Sequence, residues 1–429
     1  MLLLLLLLLL LTPMSTVVTS HASGLYCLRH FLRQCLTVSL VLWAVEVGGL
    51  QGDGLAPRPP MGYNSWNHLE CKPSEARLLQ IAAKFKQLGL LKLGYEYIVV
   101  DDCWMIRREN GMLMHDEKSF PSGMAGVAKA VHDLGFKFGL YTDRGTTTCA
   151  GRPSSRGFEK ADGLLFASWG VDFVKNDGCN DPECGPKMDK FPNSGTCPIS
   201  GRHKAIKKYK KMADAFNSSG RPIVHSICGW QPWFGPVGRS IGHMWRVGAD
   251  VRAFQDVYET ARIMEQMTAF HGPHGWNDPD MLIASSGSSV LKLTPIQARA
   301  QFSLWAVMSA PLMIGADVMN LSSFDLETYT NADAVRINQD LSSDLGHLVW
   351  TNCPAYVSLD LGVNSDGAPT FKVKFPDSGV FCGQTHAESC EKCQNPAGQA
   401  GRDFCYGNCR WLSNLTDPVC VPNNSSEGP

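Results

Sequence analysis

Short apolar runs alternate with amphipathic segments over residues 60–345, and this alternation constrains the fold most strongly. Strands separated by helices at intervals of 30–45 residues pair in parallel, because antiparallel neighbours need only a short turn. Eight units in about 285 residues predict an α/β fold of the (β/α)8 TIM-barrel type, and no G-x-G-x-x-G follows the first strand. The candidate strands are Gly62–Ser65, Tyr95–Val100, Phe136–Tyr141, Val171–Lys175, Pro222–Ile227, Met244–Val247, Gly275–Trp276 and Pro311–Gly315.

The segments between these runs have helical periodicity. In Ser74–Leu91, the apolar Leu78, Ile81 and Phe85 fall on one face, whereas Lys84 falls off it. Spacings of three and four residues place side chains on one side of an α-helix. Three further helices are predicted, at His203–Phe216, Phe254–Phe270 and Thr294–Met308.

The first 50 residues read as a leader. Met1–Leu11 is nearly pure leucine, and a second apolar run, Cys35–Val45, follows Arg29 and Arg33. A positive flank, an apolar run of about 7–15 residues and a small-residue exit are typical of a secretory signal, and neither run reaches the roughly 20 residues that cross a bilayer. We predict a signal region over residues 1–50 and no stable membrane span, with an uncleaved signal anchor as the alternative.

The cysteine content and the net charge indicate the compartment of the protein and the kind of partner it can bind. Sixteen cysteines favour an oxidising compartment, and five N-x-[ST] tripeptides fit an exported glycoprotein. We expect a protein that is secreted or resides in the lysosome or vacuole. The near balance of 39 Lys and Arg against 40 Asp and Glu disfavours nucleic acid as a partner, which would require a basic surface. The sequence gives no oligomeric state.

The character of the chain changes after Asp340. Residues 347–429 hold seven cysteines, alternating runs such as Thr370–Phe375, and no helical pattern. We therefore predict a barrel over residues 51–345 and a small C-terminal cysteine-rich β domain over residues 346–429. A C-x-x-C at positions 390–393 is compatible with zinc, but disulfides are favoured in an exported chain.

Polar and aromatic side chains follow almost every predicted strand. Barrel enzymes carry their catalytic groups at the carboxyl ends of the strands, so these side chains are expected at one rim. Crowded carboxylates repel one another, which indicates either a bound metal or a polyhydroxylated ligand with paired-carboxylate chemistry. The side chains are Trp66, Asp101, Asp102, Tyr141, Asp143, Lys175, Asp177, Cys228, Trp230, Arg246, Asp250, Asp278 and Asp280.

A sugar explains this set better than a metal does. No histidine stands among these positions, and a hard-cation site built from Asp alone is the alternative. Trp66, Trp104 and Tyr141 offer flat apolar faces to a pyranose ring, and two carboxylates can cleave a glycosidic bond. The residues therefore indicate a glycosidase without a metal or cofactor.

Three aspartates also have simpler interpretations. Asp143 and Asp317 are at least as well placed to cap a helix as to bind sugar. Asp278 precedes Pro279, so a role in a turn is favoured for it over catalysis.

Nine short motifs occur in an order that resembles one family. They are M-G-Y-N-S-W (61–66), V-D-D-C-W (100–104), G-L-Y-T-D-R-G (139–145), C-A-G (149–151), V-K-N-D-G-C (174–179), W-R-x-x-A-D (245–250), G-W-N-D-P-D-M-L (275–282), A-P-L (310–312) and I-N-Q-D (337–340). Over about residues 55–345 the chain resembles the α-galactosidases and α-N-acetylgalactosaminidases of glycoside hydrolase family 27, the melibiases. The resemblance implies a retaining hydrolase that releases terminal α-linked galactose from oligosaccharides, polysaccharides or glycoconjugates.

The resemblance also implies residue roles. Asp177 is expected to be the nucleophile, kept ionised by Lys175, which lies two residues away on the same strand face. Asp250 is expected to be the general acid/base, in a less cationic setting that raises its pKa. Asp101 and Asp102 are expected to accept hydrogen bonds from the 6- and 4-hydroxyls. The other implied sugar contacts are Trp66, Tyr141, Lys175, Trp230, Arg246 and Asp280.

Disulfides follow from the same resemblance. The rim pairs it implies are Cys71–Cys103 and Cys149–Cys179. Cys184 and Cys197 lie in a stretch that resembles a family-variable insertion, and we expect them to pair with each other.

The loop after the fifth strand departs from the family pattern. It reads C-G-W at 228–230, where the family usually has C-E-W or C-S-W, whose middle residue meets the sugar's 2-substituent. Gly229 is expected to leave room that Gln231 or Trp233 fills. The usual partner of Cys228 is replaced by Gly242, so Cys228 is either a free thiol in the site or has another partner.

Other functions remain open at this point. α-N-acetylgalactosaminidase and β-L-arabinopyranosidase use the same scaffold, and the Asp101-Asp102 pair disfavours arabinose, which lacks a 6-hydroxyl. A non-catalytic galactose-binding protein has no need of both Asp177 and Asp250. A cysteine-rich adhesion protein would instead place its function in residues 347–429.

Overall fold

The structure is a computed structural model that describes residues 54–184, 197, 199–286, 293–340, 346 and 358–374, and the strands 380–382, 385–387, 409–412 and 419–422. The predicted leader and most of the C-terminal cysteines therefore lie outside the described residues. Among the described helices, none combines the length and the apolar character that crossing a bilayer requires.

Among the described residues, ten strands precede residue 340, and eight of them form one parallel sheet. In chain order the ten are β1 (Met61–Asn64), β2 (Tyr97–Val99), β3 (Met105–Glu109), β4 (Met112–His115), β5 (Lys137–Asp143), β6 (Phe173–Asp177), β7 (Val224–Ile227), β8 (Met244–Arg246), β9 (Trp276–Asp278) and β10 (Leu312–Ile314). The sheet order is β10-β1-β2-β5-β6-β7-β8-β9, while β3 and β4 form a separate hairpin. Leu282, just after β9, makes a parallel bridge to Ile314 of β10, which joins the two edges of the sheet. The predicted barrel is confirmed.

Helices cover the connections between the strands. They are α1 (Trp66–Leu69), α2 (Glu75–Gln87), α3 (Gly123–Asp133), α4 (Glu159–Ser168), α5 (Ile199–Ser218), α6 (Gly235–Gly238), α7 (Phe254–Met264), α8 (Pro295–Val307), α9 (Ser323–Tyr329) and α10 (Ala332–Asn338). The start of α2 follows from Ser74, whose side chain accepts a hydrogen bond from the Arg77 amide. Thr294 and Gln297 form a capping box at α8, with Pro295 in the first turn.

Local differences from the sequence prediction are small. All eight predicted strands exist within about two residues of the expected ends. The hairpin β3–β4 was not predicted, because its pattern of half-exposed charged residues does not resemble a buried strand. The helix expected over Phe254–Phe270 ends at Met264, and a separate 3₁₀ turn covers Thr268–Phe270.

Side chains along each strand point alternately into the barrel and towards the helices, which gives an inner and an outer apolar cluster. On β6, Phe173 joins the cluster inside the barrel, whereas Val174 joins the cluster between the barrel and its helices. Lys175 and Asp177 are on the same side as Phe173, because side chains alternate along a strand. The interior cluster also contains Tyr97, Val99, Val224, Met244, Trp276, Met281 and Met313. Polar groups thus stand above an apolar plug, as in other barrels of this size.

The described C-terminal residues form only β structure. The strands pair antiparallel as β11 (Ser358–Val363) with β12 (Pro369–Lys374), β13 (Val380–Cys382) with β14 (Thr385–Ala387), and β15 (Cys409–Leu412) with β16 (Val419–Pro422). Arg202 of α5 donates a hydrogen bond to the Pro369 carbonyl at 3.3 Å, so the first of these hairpins is fastened to the barrel. The predicted β character is confirmed, and the boundary at residue 345 stays a prediction.

Candidate active site

The register of the parallel sheet brings the strand-end side chains together. Tyr141 of β5 pairs with Lys175 of β6, and Asp143 pairs with Asp177. Arg246 at the end of β8 pairs with Asp278 at the end of β9. Since all carboxyl ends of the strands meet at one rim, these groups surround one site.

Asp177 lies in a dense network of hydrogen bonds. The Tyr141 hydroxyl donates to its Oδ2 at 3.1 Å, and the Gly178 amide donates to its Oδ1 at 3.0 Å. Lys175 Nζ is 4.0 Å from Asp177 Oδ2 but only 2.9 Å from Asp101 Oδ2. The lysine is therefore shared between two carboxylates.

Asp101 and Asp102 lie beside this network. The Asn64 side chain donates to Asp101 Oδ2 at 2.7 Å. The Ala150 amide donates to Asp102 Oδ2 at 2.9 Å, which ties the loop after β5 to the loop after β2. Burial raises the pKa of Asp102, while the hydrogen bonds from Ala150 and Cys103 act in the opposite direction. Asn64 was not predicted as a site residue, since a single Asn at the end of a strand does not by itself indicate a functional role.

A second group is centred on Arg246. Its guanidinium lies 3.0 Å from Asp280 Oδ1 and 3.1 Å from Asp250 Oδ1. The Val251 amide donates to Asp280 Oδ2 at 2.7 Å, so the chain beside Asp250 is fixed. The Asp250 side chain is 42% exposed, whereas Asp177 is buried, so Asp250 faces the solvent side of the site.

One cavity of about 30 Å³ links the two groups. Its polar lining includes Lys175 from the first group and Arg246 and Asp280 from the second. A volume of this size is enough to hold water between the two groups. The complete lining is Asn64, Phe173, Lys175, Ser226, Met244, Arg246, Asp278, Asp280, Met281 and Met313.

Several loops at this rim carry residues in the left-handed backbone region. Cys103, Trp230 and Asp280 have φ angles of 75°, 53° and 87°. Such conformations cost free energy in residues other than glycine and cluster at functional sites. The Asp280 carbonyl accepts a hydrogen bond from Trp305 Nε1 at 2.8 Å, which helps to hold that conformation.

The structure places the two carboxylates in different electrostatic environments. Burial raises the pKa of Asp177 to about 6, and Lys175 opposes this without cancelling it, being closer to Asp101. Partial burial acts to raise the pKa of Asp250, but Arg246, Lys175 and Arg252 lower it by more, so it lies below its ordinary value. Lys175 thus acts on Asp177 in the expected direction, whereas the setting of Asp250 is more cationic than predicted, because Arg246 and Arg252 lie beside it.

The aromatic residues divide between the site and the core. Trp66 packs, half-buried, against the cluster inside the barrel, and Trp230 lies buried in the loop after β7. Trp104 was wrongly expected to face the sugar. It is fully buried and packs edge-on against Phe166 and Trp169 of the outer layer.

Three disulfides are present among the described residues. Cys71–Cys103 joins the loops after β1 and β2, and Cys149–Cys179 joins the loops after β5 and β6. Cys184–Cys197 lies beyond β6. The Sγ of Cys149 is 3.4 Å from Asp177 Oδ2, so the second disulfide forms part of the wall around this carboxylate.

The described residues contain one group of possible metal ligands at the site. It consists of Asp143, Cys149, Asp177 and Cys179. Both of its sulfurs are used in a disulfide, and a metal ligand must be a thiolate. The group therefore does not fit a metal.

The other aspartates brace turns. Asp143 accepts hydrogen bonds from the Gly145 and Cys179 amides, so it anchors loops rather than capping a helix. Asp278 Oδ1 accepts from the Asp280 amide at 2.9 Å, which confirms the turn. Asp317 accepts from the Met319 amide at the start of a 3₁₀ turn, which confirms capping.

The space expected beside Gly229 does not exist. A Cβ at this position would lie 1.9 Å from a ring carbon of Phe234. Phe234, rather than Gln231 or Trp233, fills this position, and its ring stacks on Trp233 at a centroid distance of 4.0 Å. Cys228 is a buried free thiol, and Arg246 Nη1 lies 3.8 Å from its sulfur.

Gly229→Ala is accordingly expected to destabilise the protein. Overpacking a filled core costs about 1–3 kcal/mol, which a lower Tm would report. Gly248→Ala is the matched control, because a Cβ there has its nearest neighbour at 3.6 Å. The same change in a Phe234→Leu background should cost less than in the wild type, and equal costs in both backgrounds would contradict the overlap.

Comparisons with known proteins agree with this geometry. The sequence profile described as alpha galactosidase A matches residues 58–340. The chain belongs to this family. Alpha-galactosidase A of Cellvibrio japonicus is 37% identical over 71% of this chain and 72% of its own. Alpha-galactosidase mel1 of Schizosaccharomyces pombe is 34% identical over 75% of each chain.

Solved structures show the same fold. The α-galactosidase MEL1 of Saccharomyces cerevisiae superposes with a TM-score of 0.62 at 32% identity, covering 76% of each chain. Membership of this family makes the protein a glycosidase.

Proposed function

We propose that the protein is a retaining α-galactosidase in which Asp177 is the nucleophile and Asp250 the general acid/base. The observation that carries the proposal is the arrangement of these two carboxylates. Asp177 is buried with Lys175 and Tyr141 at the base of the site, and Asp250 is half-exposed beside Arg246 at its mouth. This difference supports Asp177 as the group that attacks the sugar and Asp250 as the group that protonates the leaving group, which must face solvent.

The reaction would proceed in two displacements. Asp177 attacks the anomeric carbon while Asp250 gives its proton to the departing oxygen, forming a covalent glycosyl-enzyme. Asp250 then removes a proton from water, which attacks the same carbon and releases galactose with its configuration retained. The Tyr141 hydroxyl and the Lys175 ammonium group stabilise the negative charge of the Asp177 carboxylate before it attacks.

Galactose is favoured over its rivals by the relatives and by the site. The named relatives are α-galactosidases, and one yeast α-galactosidase structure, 31% identical with a TM-score of 0.61, was solved with raffinose. Asp101 accepts hydrogen bonds from Asn64, Lys175 and the Asp102 amide, and Asp102 accepts from the Cys103 and Ala150 amides. A carboxylate has about four acceptor sites, so each keeps at least one for a sugar hydroxyl. A side chain at Gly229 would overlap Phe234, so this loop offers the sugar neither the Glu nor the Ser of the family.

The substrate class is tested by initial rates on aryl α-galactoside, aryl α-N-acetylgalactosaminide, aryl β-L-arabinopyranoside and raffinose. The galactoside and raffinose should be hydrolysed, and the first product seen by NMR should be α-galactose. Preference for the N-acetyl substrate would reassign the specificity. Binding of galactose without turnover of any substrate would favour the non-catalytic alternative.

The rate should depend on pH as a bell with its maximum below pH 6. The reaction needs Asp177 ionised and Asp250 protonated, so the active form carries one proton on the pair. This form loses its proton as the pH rises through about 6, the pKa of Asp177. It gains a second proton as the pH falls through the lowered pKa of Asp250.

Values of kcat/KM check this profile, because they report the free enzyme. Samples held at each pH and then assayed at the optimum would separate titration from unfolding. A plateau extending to about pH 8 would contradict the assignment of the basic limb to Asp177.

We also propose export to the cell exterior, lysosome or vacuole, with the leader removed near residue 50. The cysteine content and the rim disulfides Cys71–Cys103 and Cys149–Cys179 favour an oxidising compartment. N-terminal sequencing of the mature protein is the test. A mature chain that begins at Met1 would contradict cleavage.

A further inference from the structure

A buried arginine lies directly behind the main chain of the proposed nucleophile. Arg144 follows the end of β5 and is 2% exposed. Its backbone amide donates to the Asp177 carbonyl at 3.1 Å. Its guanidinium lies over the ring of Tyr209, 4.9 Å from the centroid, and the Tyr209 hydroxyl donates to the same carbonyl at 3.3 Å. Arg144 and Tyr209 thus hold one peptide group from two sides.

The guanidinium also contacts the next residue. A Cβ built on Gly178 would come within 2.9 Å of Arg144 Nη2 and 3.2 Å of the Tyr209 hydroxyl. The guanidinium therefore lies close beside Gly178, which leaves no room for a side chain there. The Gly178 amide in turn donates to Asp177 Oδ1, so a shift of this peptide would move the carboxylate.

An ionic network surrounds the guanidinium, and its innermost pair, Arg144 and Asp181, is buried. Arg144 pairs with Asp181, which is 1% exposed. Lys208 Nζ is 2.6 Å from Asp181, and Arg156 is 3.1 Å from Glu183. Lys208 also pairs with Glu183.

A contribution to stability alone does not explain this network. Burying charged groups costs desolvation energy that pairing often only offsets, so a buried ion pair is weak evidence for stability. A fixed, charged group directly behind a reacting side chain can instead define the position of that side chain.

We propose that Arg144 is a positioning residue that sets the Asp177–Gly178 peptide and thereby aims the Asp177 carboxylate at the anomeric carbon. This inference rests on the proposed role of Asp177. Arg144 touches no reacting atom, so its loss should affect the chemical step and leave sugar affinity almost intact.

The test is Arg144→Met, with Arg108→Met as matched control. Arg108 is also largely buried and makes a two-pronged pair with Asp162 at 2.7 and 2.8 Å, away from Asp177. On an aryl α-galactoside, Arg144→Met should lower kcat by about 10–100-fold, because misplacement by about 1 Å has effects of this size. KM should change by less than about threefold, and the pre-steady-state burst, which follows attack by Asp177, should slow in parallel. Arg108→Met should lower Tm but keep kcat within about twofold.

The outcomes separate this inference from the proposed function. If Asp177→Ala is inactive but folded Arg144→Met keeps the wild-type kcat, the positioning role is overturned alone. If Asp177→Ala keeps its activity, the proposed nucleophile is overturned as well. If Arg144→Met does not fold, Asp181→Asn decides, since it leaves Arg144 without its buried carboxylate. A fall in kcat with an unchanged KM supports positioning, and an unchanged kcat overturns it.

Discussion

Asp177→Ala is expected to lower kcat/KM for an aryl α-galactoside by about 10⁴-fold or more, because the variant lacks the carboxylate proposed to form the covalent intermediate. Folding should survive, since alanine removes a buried carboxylate whose pKa is already raised by burial. Asp325→Asn is the matched control. Asp325 is equally buried and accepts hydrogen bonds from Ser285, Ser286 and Ser322, but it lies outside the proposed machinery.

The product formed with an added nucleophile makes this test sharper. The cavity left by Asp177→Ala can admit azide, which would attack the anomeric carbon of a substrate with a good leaving group. The product should be β-galactosyl azide, because a single displacement inverts the configuration. Recovery of α-galactosyl azide, or residual hydrolysis near the wild-type rate, would remove Asp177 from the nucleophile's role.

Asp250→Ala is expected to have a large effect that depends on the leaving group. Proton transfer contributes about 10²–10⁴-fold, so raffinose hydrolysis should fall by that factor. A dinitrophenyl galactoside needs little protonation, so its first step should remain fast and a glycosyl-enzyme should accumulate. Burst kinetics and intact-protein mass spectrometry would detect this intermediate.

Azide distinguishes the two carboxylates. In Asp250→Ala it should speed breakdown of the intermediate and give α-galactosyl azide, since two displacements retain configuration. Asp214→Ala, which removes an exposed carboxylate paired with Lys210 on α5, is the control. Equal losses on raffinose and on the dinitrophenyl substrate would contradict the role of Asp250 as the acid.

Much of the fold could be predicted from the sequence, because its signals are local. Eight apolar runs predicted eight strands, and Ser74 and Thr294 mark the starts of two helices through caps of one turn. Strand alternation alone places Lys175 and Asp177 on one face. The hairpin Met105–His115 gave no such signal, since its first strand carries charges on both faces and its second is only four residues long.

The sequence predicted which side chains gather at the rim of the barrel but not the electrostatics among them. Lys175 lies closer to Asp101 than to Asp177, and Arg246 divides its charge between Asp250 and Asp280. These distances depend on which strands are neighbours in the closed sheet. These distances make the pKa of Asp177 higher than that of Asp250, which could not be predicted from the spacing of residues along the chain.

The sequence by itself determined the barrel, the order of its strands and the carboxylates at their ends, because each follows from periodicity or from short motifs. Only the tertiary structure decided which side chains face the site. Trp104 turns to the outer core, and Phe234 fills the position beside Gly229. The physical reason is that packing and charge pairing depend on residues distant in the chain, such as Arg144 and Asp181 behind Asp177.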